Sequence, residues 1–499
     1  MKVLIANRGE IAVRVMRACR EMGYATVAVY SEPDRSALHV LYADQAVPIG
    51  PAPSRDSYLR IDRILEAART TGADAIHPGY GFLAENSGFA RACRNAGILF
   101  IGPSAESIDA MGSKTEARQR MQAAGVPVVP GLTEAVKSFD EIADFAKQAG
   151  FPVMIKASAG GGGKGMRLVE REEDLRQAFE RVTSEAQSFF GDGSVYAEKF
   201  IASPRHIEVQ ILGDQHGNIV HFGERECTLQ RRHQKVVEEC PSPVVDAELR
   251  AKLGAMAVKA AAAVNYYSAG TIECLMGPDR EFYFLEMNTR LQVEHPVTEM
   301  VWGVDLVKEQ LRIAQGGKLT FRQEDLSPSG HAIECRIYAE DPLRNFAPSP
   351  GLIRYLNLPQ GPGVRNENGV YSGYTVPVHY DPMLSKLVCH AATRQEAIAR
   401  MKRALFEYRV DGIETTIPFF SFLMDNQDFQ AARFDTSFID RLLPELDLEG
   451  RDDADGHVEA AIAAAAIMAF EESQRVQLPE VTDSAWKKAG RVEAMRGPR

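Results

Sequence analysis

Side chains that could hold a metal ion and move a proton recur at every second position near the middle of the chain. They are Glu286, Asn288, Arg290, Gln292 and Glu294. Because side chains alternate along an extended strand, this spacing predicts that the five share one face. That face would offer a carboxylate and an amide as oxygen ligands for Mg²⁺, then a cation, then a carboxylate able to accept a proton. The segment indicates an active-site wall, and the alternative is a solvated strand face with ion pairs.

A glycine-rich loop is the second chemical signal. It connects the predicted strands 153–156 and 166–169 and contains Gly160, Gly161, Gly162, Gly163, Lys164 and Gly165. Consecutive glycines let backbone N–H groups approach phosphate oxygens, and Lys156 and Lys164 add positive charge. The loop is not a Walker A sequence, because a strand rather than a helix follows it. We expect it to cover a polyphosphate, and the alternative is a flexible hairpin tip.

Three other segments could complete such a site. Glu273 ends a predicted strand shortly before Glu286, and a hairpin would bring the two together as oxygen donors for a nucleotide-bound Mg²⁺. The basic segment Gln230–Lys235 could hold an anion, although alone it would be interpreted as a solvated loop. The run Val195–Ile201 predicts a strand whose main chain after Glu198 could bind a flat base such as adenine.

The elements that must position these residues begin with a β-α-β pattern. Strands are predicted at 3–6 and 26–30 with a helix from about Gly9 to Met22 between them, which favours a parallel sheet. The turn after the first strand lacks G-x-G-x-x-G, so a nicotinamide site has little support. The loop His77–Phe82 follows a predicted strand at 73–76, where open α/β sheets place ligands. A second unit begins near Ser113, which can cap a helix to about residue 124.

Length and composition limit the class of protein. A chain of 499 residues should form about three domains. The net charge is −11, from 57 basic and 68 acidic residues without a basic run, which argues against nucleic acid as a partner. The seven cysteines have no C-x-x-C spacing, which is typical of reduced thiols. With no export-type N-terminus and no apolar stretch of 18 residues, we expect a cytoplasmic protein without a membrane span.

Several long strings resemble those of one enzyme family. They are Ile5-Ala-Asn-Arg-Gly-Glu-Ile11, His77-Pro-Gly-Tyr-Gly-Phe-Leu-Ala-Glu-Asn86, Gln230-Arg-Arg-His-Gln-Lys-Val-Val-Glu-Glu239, Glu286-Met-Asn-Thr-Arg-Leu-Gln-Val-Glu-His-Pro-Val-Thr-Glu299 and Glu334-Cys-Arg-Ile337. The order of the lysines, the glycine loop and the carboxylates resembles that of ATP-grasp enzymes. The strings resemble biotin carboxylase, the ATP-dependent component of acyl-CoA carboxylases, over residues 1 to about 446.

The resemblance implies a multidomain fold of α/β and α+β type. A Rossmann-like domain would span 1–110, an ATP-grasp domain 111–330 with a mobile glycine-rich lid at about 131–203, and a C-terminal biotin carboxylase domain 331–446. An acidic linker and helical tail would occupy 447–499.

It also implies a role for each matching residue. The nucleotide contacts would be Lys114, Lys156, Glu198, Lys199, Ile201, His206, Gln230 and His233, with the loop Gly160–Gly165 closing over the phosphates. Glu273, Glu286 and Asn288 would hold Mg²⁺ or Mn²⁺, and Lys235, Arg290, Gln292 and Val293 would hold bicarbonate. Glu294 would deprotonate bicarbonate, and attack on ATP would give carboxyphosphate. Arg336 would stabilise the biotin enolate.

The implied partners are a second copy of the chain, a separate biotin carrier protein and a carboxyltransferase subunit. A carrier on another chain is expected because Met401-Lys402 lies in a predicted helix, 395–407, rather than in an Ala-Met-Lys-Met acceptor. Tyr338 and the Asp381-Pro-Met-Leu384 string are more similar to subunits that serve propionyl-, methylcrotonyl- or geranyl-CoA carboxylases. The alternatives are another ATP-grasp carboxylate ligase and a nucleotide-binding subunit without activity.

The tail contains a predicted helix, 458–472. Its apolar residues Ile462, Ile467, Met468 and Phe470 should pack on another surface. Two surfaces are compatible with the sequence: the third domain of this chain, or a carrier or carboxyltransferase chain that the helix and Ser484–Lys488 help to recruit.

Overall fold

The computed structural model of the chain describes residues 1–132, 134–158, 165–446, 463–468 and 470. By its internal contacts the chain divides into two units, Met1–Leu446 and Asp447–Arg499. In the second unit, residues 463–468 and 470 are helical, as the sequence predicts. The side chains of Ile467, Met468 and Phe470 are exposed. The predicted acidic linker and the segment 484–488 lie outside the described residues.

The N-terminal part is a parallel sheet with strand order β3-β2-β1-β4-β5. Its strands are β1 (Lys2–Ile5), β2 (Ala25–Ser31), β3 (Gln45–Gly50), β4 (Ala75–His77) and β5 (Leu99–Phe100), and its helices are α1 (Gly9–Glu21), α2 (Leu38–Tyr42), α3 (Ile61–Thr71), α4 (Ser87–Asn95) and α5 (Ala105–Gly112). This order is that of a Rossmann-like doubly wound sheet, so the predicted fold class is confirmed. Helix α1 buries Ile11, Val15 and Met16 against the sheet, as its spacing of apolar residues requires. The loop His77–Phe82 follows β4, as predicted.

The middle part begins with a helix and a small antiparallel sheet. Its elements are α6 (Lys114–Ala123), α7 (Phe139–Ala149), β6 (Val153–Ala157), β7 (Met166–Val169), α8 (Leu175–Phe190) and β8 (Val195–Lys199). Ser113 caps α6 by accepting a hydrogen bond from the N–H of Glu116, so the predicted capped helix is confirmed. Strands β6 and β7 are hairpin partners on either side of the glycine loop, and β8 pairs with β6. The glycine loop at 159–164 lies outside the described residues.

The rest of the middle part and the C-terminal part share one largely antiparallel sheet with strand order β13-β12-β9-β10-β11-β14-β21-β19. The middle part contributes β9 (Arg205–Gly213), β10 (Ile219–Arg231), β11 (Gln234–Cys240), α9 (Ala247–Ala262), β12 (Ser268–Met276), β13 (Phe282–Asn288), α10 (His295–Trp302) and α11 (Leu306–Ala314). The pairing of β11 with β14 aligns Val237 with Cys335 and continues the sheet into the C-terminal part.

The C-terminal part packs its helices on the far end of this sheet. Its elements are β14 (His331–Tyr338), β15 (Glu340–Asp341), β16 (Ala347–Pro348), β17 (Gly351–Leu352), β18 (Tyr355–Asn357), β19 (Val364–Asn368), β20 (Thr375–Val376), β21 (Met383–Ala391), α12 (Arg394–Glu407), β22 (Arg409–Asp411), α13 (Ile417–Asp425), α14 (Gln427–Gln430) and α15 (Phe438–Leu442). Helix α12 matches the predicted helix 395–407. It buries Met401, whereas Lys402 pairs with Asp425 at the surface.

One prediction about the strand that carries the chemical residues is wrong. Strand β13 ends at Asn288, so Arg290 and Gln292 lie in a loop, and Glu294 occupies the N-cap position of α10. Pro296 stands in the first turn of that helix, a position that proline favours because its missing N–H is not needed there. The predicted extended strand from Glu286 to Glu294 therefore ends at Asn288, and a loop connects it to the helix.

Candidate active site

A cleft of about 710 Å³ is lined by residues from the N-terminal, middle and C-terminal parts of the first unit. The N-terminal part contributes the turn after β1 and the loop after β4. The middle part contributes the tip of the β10–β11 hairpin and the residues around β12 and β13, and the C-terminal part contributes β14 and the segment before β21. The residues among them that the sequence singled out are His206, Gln230, His233, Lys235, Glu273, Glu286, Asn288, Arg290, Gln292, Val293, Arg336 and Tyr338.

The three predicted metal ligands lie on two adjacent strands. Glu273 and Glu286 are directly opposite in the β12–β13 pairing, as the sequence predicts, and Asn288 follows on the same face. Glu273 Oε1 accepts hydrogen bonds from Asn288 Nδ2 at 2.8 Å and Gln292 Nε2 at 3.0 Å. Two carboxylates and an amide oxygen are ligands of the kind that Mg²⁺ prefers. The residues present therefore fit the implied ion.

Lys235 lies at the centre of the charged residues of the cleft. Its Nζ is 3.0 Å from Glu273 Oε1, 2.6 Å from Glu294 Oε1 and 2.5 Å from Glu208 Oε2. Burial alone would lower the pKa of this lysine, but the three carboxylates raise it well above its ordinary value. Lys235 therefore stays charged, and its ion pairs connect Glu273, a predicted metal ligand, to Glu294.

Glu294 is fully buried between two cations. Arg336 Nη2 donates to Glu294 Oε2 at 3.0 Å, while Lys235 holds the other oxygen. Burial raises the pKa of the carboxyl group, but Lys235, Arg336 and Arg225 outweigh it and hold the pKa well below its usual range. Glu294 is therefore an ionised carboxylate, and its basicity depends on where Lys235 and Arg336 direct their hydrogen bonds.

Arg290 closes the opposite side of the cluster. Its Nε donates to Glu85 Oε2 at 2.8 Å, and its terminal nitrogens donate to Asn288 Oδ1 at 3.0 Å and Gln292 Oε1 at 2.9 Å. Although burial opposes the charge, Glu85 raises the pKa of Arg290. The loop after β13 thus brings together Asn288, Arg290 and Gln292, as the sequence predicts, although by a turn rather than by strand alternation.

The residues predicted to bind the nucleotide fall into two groups. His206 Nε2 lies 3.2 Å from Glu273 Oε2, and Gln230 Nε2 lies 3.2 Å from His206 Nδ1, so His206 contacts the carboxylate cluster and Gln230 contacts His206. His233 and Arg232 form the tip of the β10–β11 hairpin with positive φ angles of 65° and 51°. Such a two-residue tight turn holds His233 at the rim of the cleft.

The second group lies on β6 and β8. Lys156 forms an ion pair with Glu198, and the Lys199 side chain donates to the carbonyls of Ala149 and Gly150 at 3.0 and 2.9 Å. The main-chain N–H of Lys199 donates to the carbonyl of Pro130. Both the side chain and the N–H of Lys199 are therefore engaged and are not available to bind a nucleotide base. The contact predicted for Lys199 could therefore come only from its carbonyl. The side chain of Lys114 and residues Gly160–Lys164 lie outside the described residues.

Four carboxylates and cations of this site were not assigned from the sequence: Glu85, Glu208, Arg225 and Glu238. Glu208 lies two residues from His206 on β9, so strand alternation could have found it. Arg225 has no exposed surface and donates to Glu208, Gln210, Thr271 and Thr298. Glu238 accepts from Arg336 Nε at 2.7 Å.

Comparison with known proteins identifies the family. Models of the biotin carboxylase N-terminal domain, the ATP-binding domain of the carbamoyl-phosphate synthase L chain and the biotin carboxylase C-terminal domain match residues 1–108, 113–322 and 334–441. Biotin carboxylase of Halalkalibacterium halodurans is 55% identical over 438 residues, which are 88% of this chain and 97% of that protein. The chain belongs to the biotin carboxylase family. It is an ATP-grasp ligase, as the resemblance of its sequence implies.

Further relatives include a subunit of a pyruvate carboxylase and a biotin carboxylase of known structure. A pyruvate carboxylase subunit from Methanothermobacter thermautotrophicus is 55% identical over 451 residues, 90% of this chain and 91% of that protein. A Campylobacter jejuni biotin carboxylase complex with β,γ-ATP superimposes with a TM-score of 0.84 at 50% identity, covering 88% of this chain and 98% of that chain.

A further solved structure is the biotin carboxylase domain dimer of Hydrogenobacter thermophilus 2-oxoglutarate carboxylase, with MgADP and bicarbonate. It has a TM-score of 0.82 at 48% identity over 88% of this chain and 97% of that chain. Across the described part of this chain, every helix is too short or too polar to cross a membrane.

Proposed function

We propose that the chain carboxylates biotin carried on a separate protein, with ATP and bicarbonate as co-substrates. The observation that carries the proposal is the position of Glu294 between Lys235 and Arg336, next to the carboxylates Glu273 and Glu286 in one cleft. This arrangement combines a base, an anion-binding lysine and an Mg²⁺-type ligand set. Those are the groups that activation of bicarbonate by ATP requires.

Bicarbonate would lie against Lys235 and Arg290, whose positive charges favour its doubly charged form. Glu294 takes the proton, and a carbonate oxygen attacks the γ-phosphorus of ATP as the bond to ADP breaks, which gives carboxyphosphate. Mg²⁺ held by Glu273, Glu286 and Asn288 would neutralise charge on the phosphates. Carboxyphosphate then separates into CO₂ and phosphate, and phosphate removes the ureido N–H proton of biotin. Arg336 stabilises the enolate oxygen while the nitrogen attacks CO₂.

The ion pairs of Glu294 explain how a carboxylate with a depressed pKa can act as a base. While both Lys235 and Arg336 are bound to it, the carboxylate is a weak proton acceptor. Bicarbonate competes for Lys235, and the ureido oxygen of biotin competes for Arg336. Each substrate thus draws one cation away from Glu294 and raises its basicity, so the base becomes active when the substrates are in place.

The test uses purified chain, MgATP, labelled bicarbonate and free biotin. We expect ADP release that depends on bicarbonate, together with label in carboxybiotin. ADP release that requires another carboxylate, with no labelled biotin, would indicate a different ATP-grasp ligase. Nucleotide binding without turnover under all conditions would indicate a subunit without activity.

The proposal extends to partners. A separate carrier is supported by Lys402, which lies in helix α12 and pairs with Asp425 and so is not placed as a biotin acceptor. A homodimer is supported by the relative from Hydrogenobacter thermophilus, whose domain is described as a dimer. A carboxyltransferase partner, a cytoplasmic location and the domain limits given above stay predictions. So does an acyl-CoA as final acceptor, because the relatives include parts of a pyruvate carboxylase and of a 2-oxoglutarate carboxylase.

A further inference from the structure

Lys386 is a fully buried lysine that no step of the proposed reaction uses. It lies on β21 directly opposite Arg336 of β14. Its Nζ donates to the carbonyl of Val293 at 2.7 Å and lies 3.3 Å from Glu10 Oε2. The same nitrogen is 5.6 Å from the centre of the Tyr80 ring. Lys386 therefore joins the C-terminal part to the N-terminal part and to the loop that carries Glu294.

The contact with Val293 fixes a peptide group at the centre of the site. The carbonyl of Val293 and the N–H of Glu294 belong to one planar unit, so a donor that holds the carbonyl also sets the direction of that N–H. The preceding peptide group is held in the same way, because the His295 ring nitrogen Nδ1 lies 2.8 Å from the carbonyl of Gln292. Burial and the nearby Lys386, Arg14 and Arg365 lower the pKa of His295 well below its ordinary value. The ring is therefore neutral, and Nδ1 carries the proton donated to Gln292.

Two successive peptide groups, Gln292–Val293 and Val293–Glu294, are thus held through their carbonyl oxygens by the side chains of His295 and Lys386. With the carbonyls of Gln292 and Val293 occupied, the main-chain donors that this segment offers to an anion are the N–H groups of Val293 and Glu294. Simple neutralisation of Glu10 would not account for the position of Lys386. The bond to Val293 is shorter than the ion pair, and Tyr80 also forms a hydrogen bond with Glu10.

We propose that Lys386 is a positioning residue for the bicarbonate step: by holding the Val293 carbonyl it orients the Val293–Glu294 segment toward the anion. This inference rests on the proposed function. It predicts that loss of Lys386 impairs the use of bicarbonate, while the nucleotide site, which is built on other strands, is left intact.

The test compares Lys386→Met with a matched control, Arg250→Met. Arg250 of α9 donates to the buried Glu224 from Nε and Nη2 at 2.9 and 2.8 Å, so the control also removes a cation from a buried glutamate. Bicarbonate-dependent ADP release is measured over a range of bicarbonate and of ATP concentrations, together with the melting temperature. Wild-type turnover is measured first, because its absence would refute the proposed function and not this inference.

For Lys386→Met we expect kcat/KM for bicarbonate to fall about tenfold or more, with KM for ATP within about twofold of wild type. Arg250→Met should lower the melting temperature and leave kcat/KM for bicarbonate near the wild-type value. Lys386→Arg, which keeps a donor, should recover part of the loss. An unchanged kcat/KM for bicarbonate in Lys386→Met would overturn the proposal. A parallel loss for both substrates that follows the melting temperature would also overturn it.

A second variant covers the case in which Lys386→Met does not fold. The double variant Glu10→Gln/Lys386→Met removes both charges and so avoids an unpaired buried carboxylate. It still leaves the Val293 carbonyl without its donor. The same selective loss for bicarbonate is expected, and a double variant with wild-type kcat/KM for bicarbonate would refute the positioning role.

Discussion

Two buried clusters of charge lie in the first unit and differ in the state of their carboxylates. The junction cluster consists of Arg14, Arg17, Glu299, Asp305, Arg365 and Glu367, so three arginines contact three carboxylates. Arg14 donates to Glu299 and Asp305 at 2.9 and 2.7 Å, and Arg365 contacts Glu299 and Glu367 at 2.8 and 2.6 Å. Although burial opposes ionisation, the arginines lower the pKa values of Glu299 and Glu367, the latter to about 2.

The cleft cluster consists of Glu208, Lys235, Glu238, Glu273, Glu294 and Arg336. Here burial raises the pKa of Glu238 to about 7, against the effect of Arg336, while that of Glu294 is held well below its ordinary value. Lys235, Arg336 and the adjoining Arg225 are three cations shared among four carboxylates, so they cannot neutralise all four together. The junction cluster is therefore a closed set of ion pairs that joins parts of the fold, whereas the cleft cluster is poised to exchange partners when anions and Mg²⁺ enter.

The largest expected effect comes from a matched pair, Glu294→Gln and Glu299→Gln, one in each cluster. Glu294→Gln keeps shape but loses basicity, so carboxylation should fall about 10²- to 10⁴-fold, or roughly 3 to 5 kcal/mol of barrier. ATP binding should persist because the metal ligands are intact. Glu299→Gln should lower the melting temperature and leave kcat near wild type. Near-normal bicarbonate-dependent ADP release by Glu294→Gln would contradict the proposed difference between the two clusters.

Arg336→Ala should separate two steps within the cleft cluster. The enolate step loses its cation, whereas Glu294 keeps its contact with Lys235, so bicarbonate-dependent ATP cleavage should stay detectable while carboxybiotin per ADP drops sharply. Measuring both products in one reaction gives this ratio. Equal loss of both activities in a folded variant would argue against a separate role for Arg336.

Glu273→Gln and Glu286→Gln should raise the Mg²⁺ concentration needed for half-maximal turnover. Each change removes one anionic ligand of a hard cation. Titrating Mg²⁺ at fixed ATP measures the effect, with Glu299→Gln as a control. A wild-type Mg²⁺ dependence in both variants would remove these carboxylates from the metal site.

Glu367 should make the junction cluster sensitive to acid. Its pKa of about 2 in the folded protein lies below the ordinary value of 4.5, so it stabilises the fold above about pH 4.5. That stabilisation, about 3 kcal/mol at most, is lost as the pH falls toward 2. The free energy of unfolding should therefore decrease less between pH 5 and 3 for Glu367→Gln than for wild type. Equal slopes would show that the carboxylate is not stabilised by its arginines.

The smallest effect on catalysis is expected from ending the chain at Leu446. Carboxylation of free biotin should persist, while assembly with the carrier or carboxyltransferase chains weakens if the tail recruits them. Pull-down of those chains with the shortened protein measures this. Undiminished assembly would remove the recruiting role, and lost activity with a lowered melting temperature would support packing of the tail on its own chain.

Much of the fold follows from local pattern. The β-α-β start, the cap at Ser113 and the pairing of Glu273 with Glu286 could be predicted from alternation, capping and hairpin spacing. The end of β13 at Asn288 could not, because the residues up to Glu294 still alternate as in a strand. Glu294 becomes the cap of a helix whose residues His295, Pro296, Val297 and Thr298 are all buried, which is a tertiary effect.

The side-chain contacts within the site were harder to predict than which residues belong to it. Ligand-type residues such as Arg290 and Glu294 stand out by their chemistry. In the sequence, Arg225 and Lys386 resemble charged residues on the exposed face of a strand, because a local sequence does not show burial by distant parts of the chain. The Lys199 side chain binds carbonyls at the end of α7, a contact across 50 residues that no local spacing indicates.

The fate of the bicarbonate oxygens gives the sharpest test of the role of Glu294. If Glu294 generates carbonate that attacks the γ-phosphorus, the attacking oxygen stays with phosphorus when carboxyphosphate separates. Turnover of wild-type protein with ¹⁸O-labelled bicarbonate, MgATP and biotin should therefore give inorganic phosphate that carries one labelled oxygen from bicarbonate. Phosphate without label, at undiminished ADP release, would mean that water attacks ATP, and it would contradict the assignment of this chemistry to the cleft cluster.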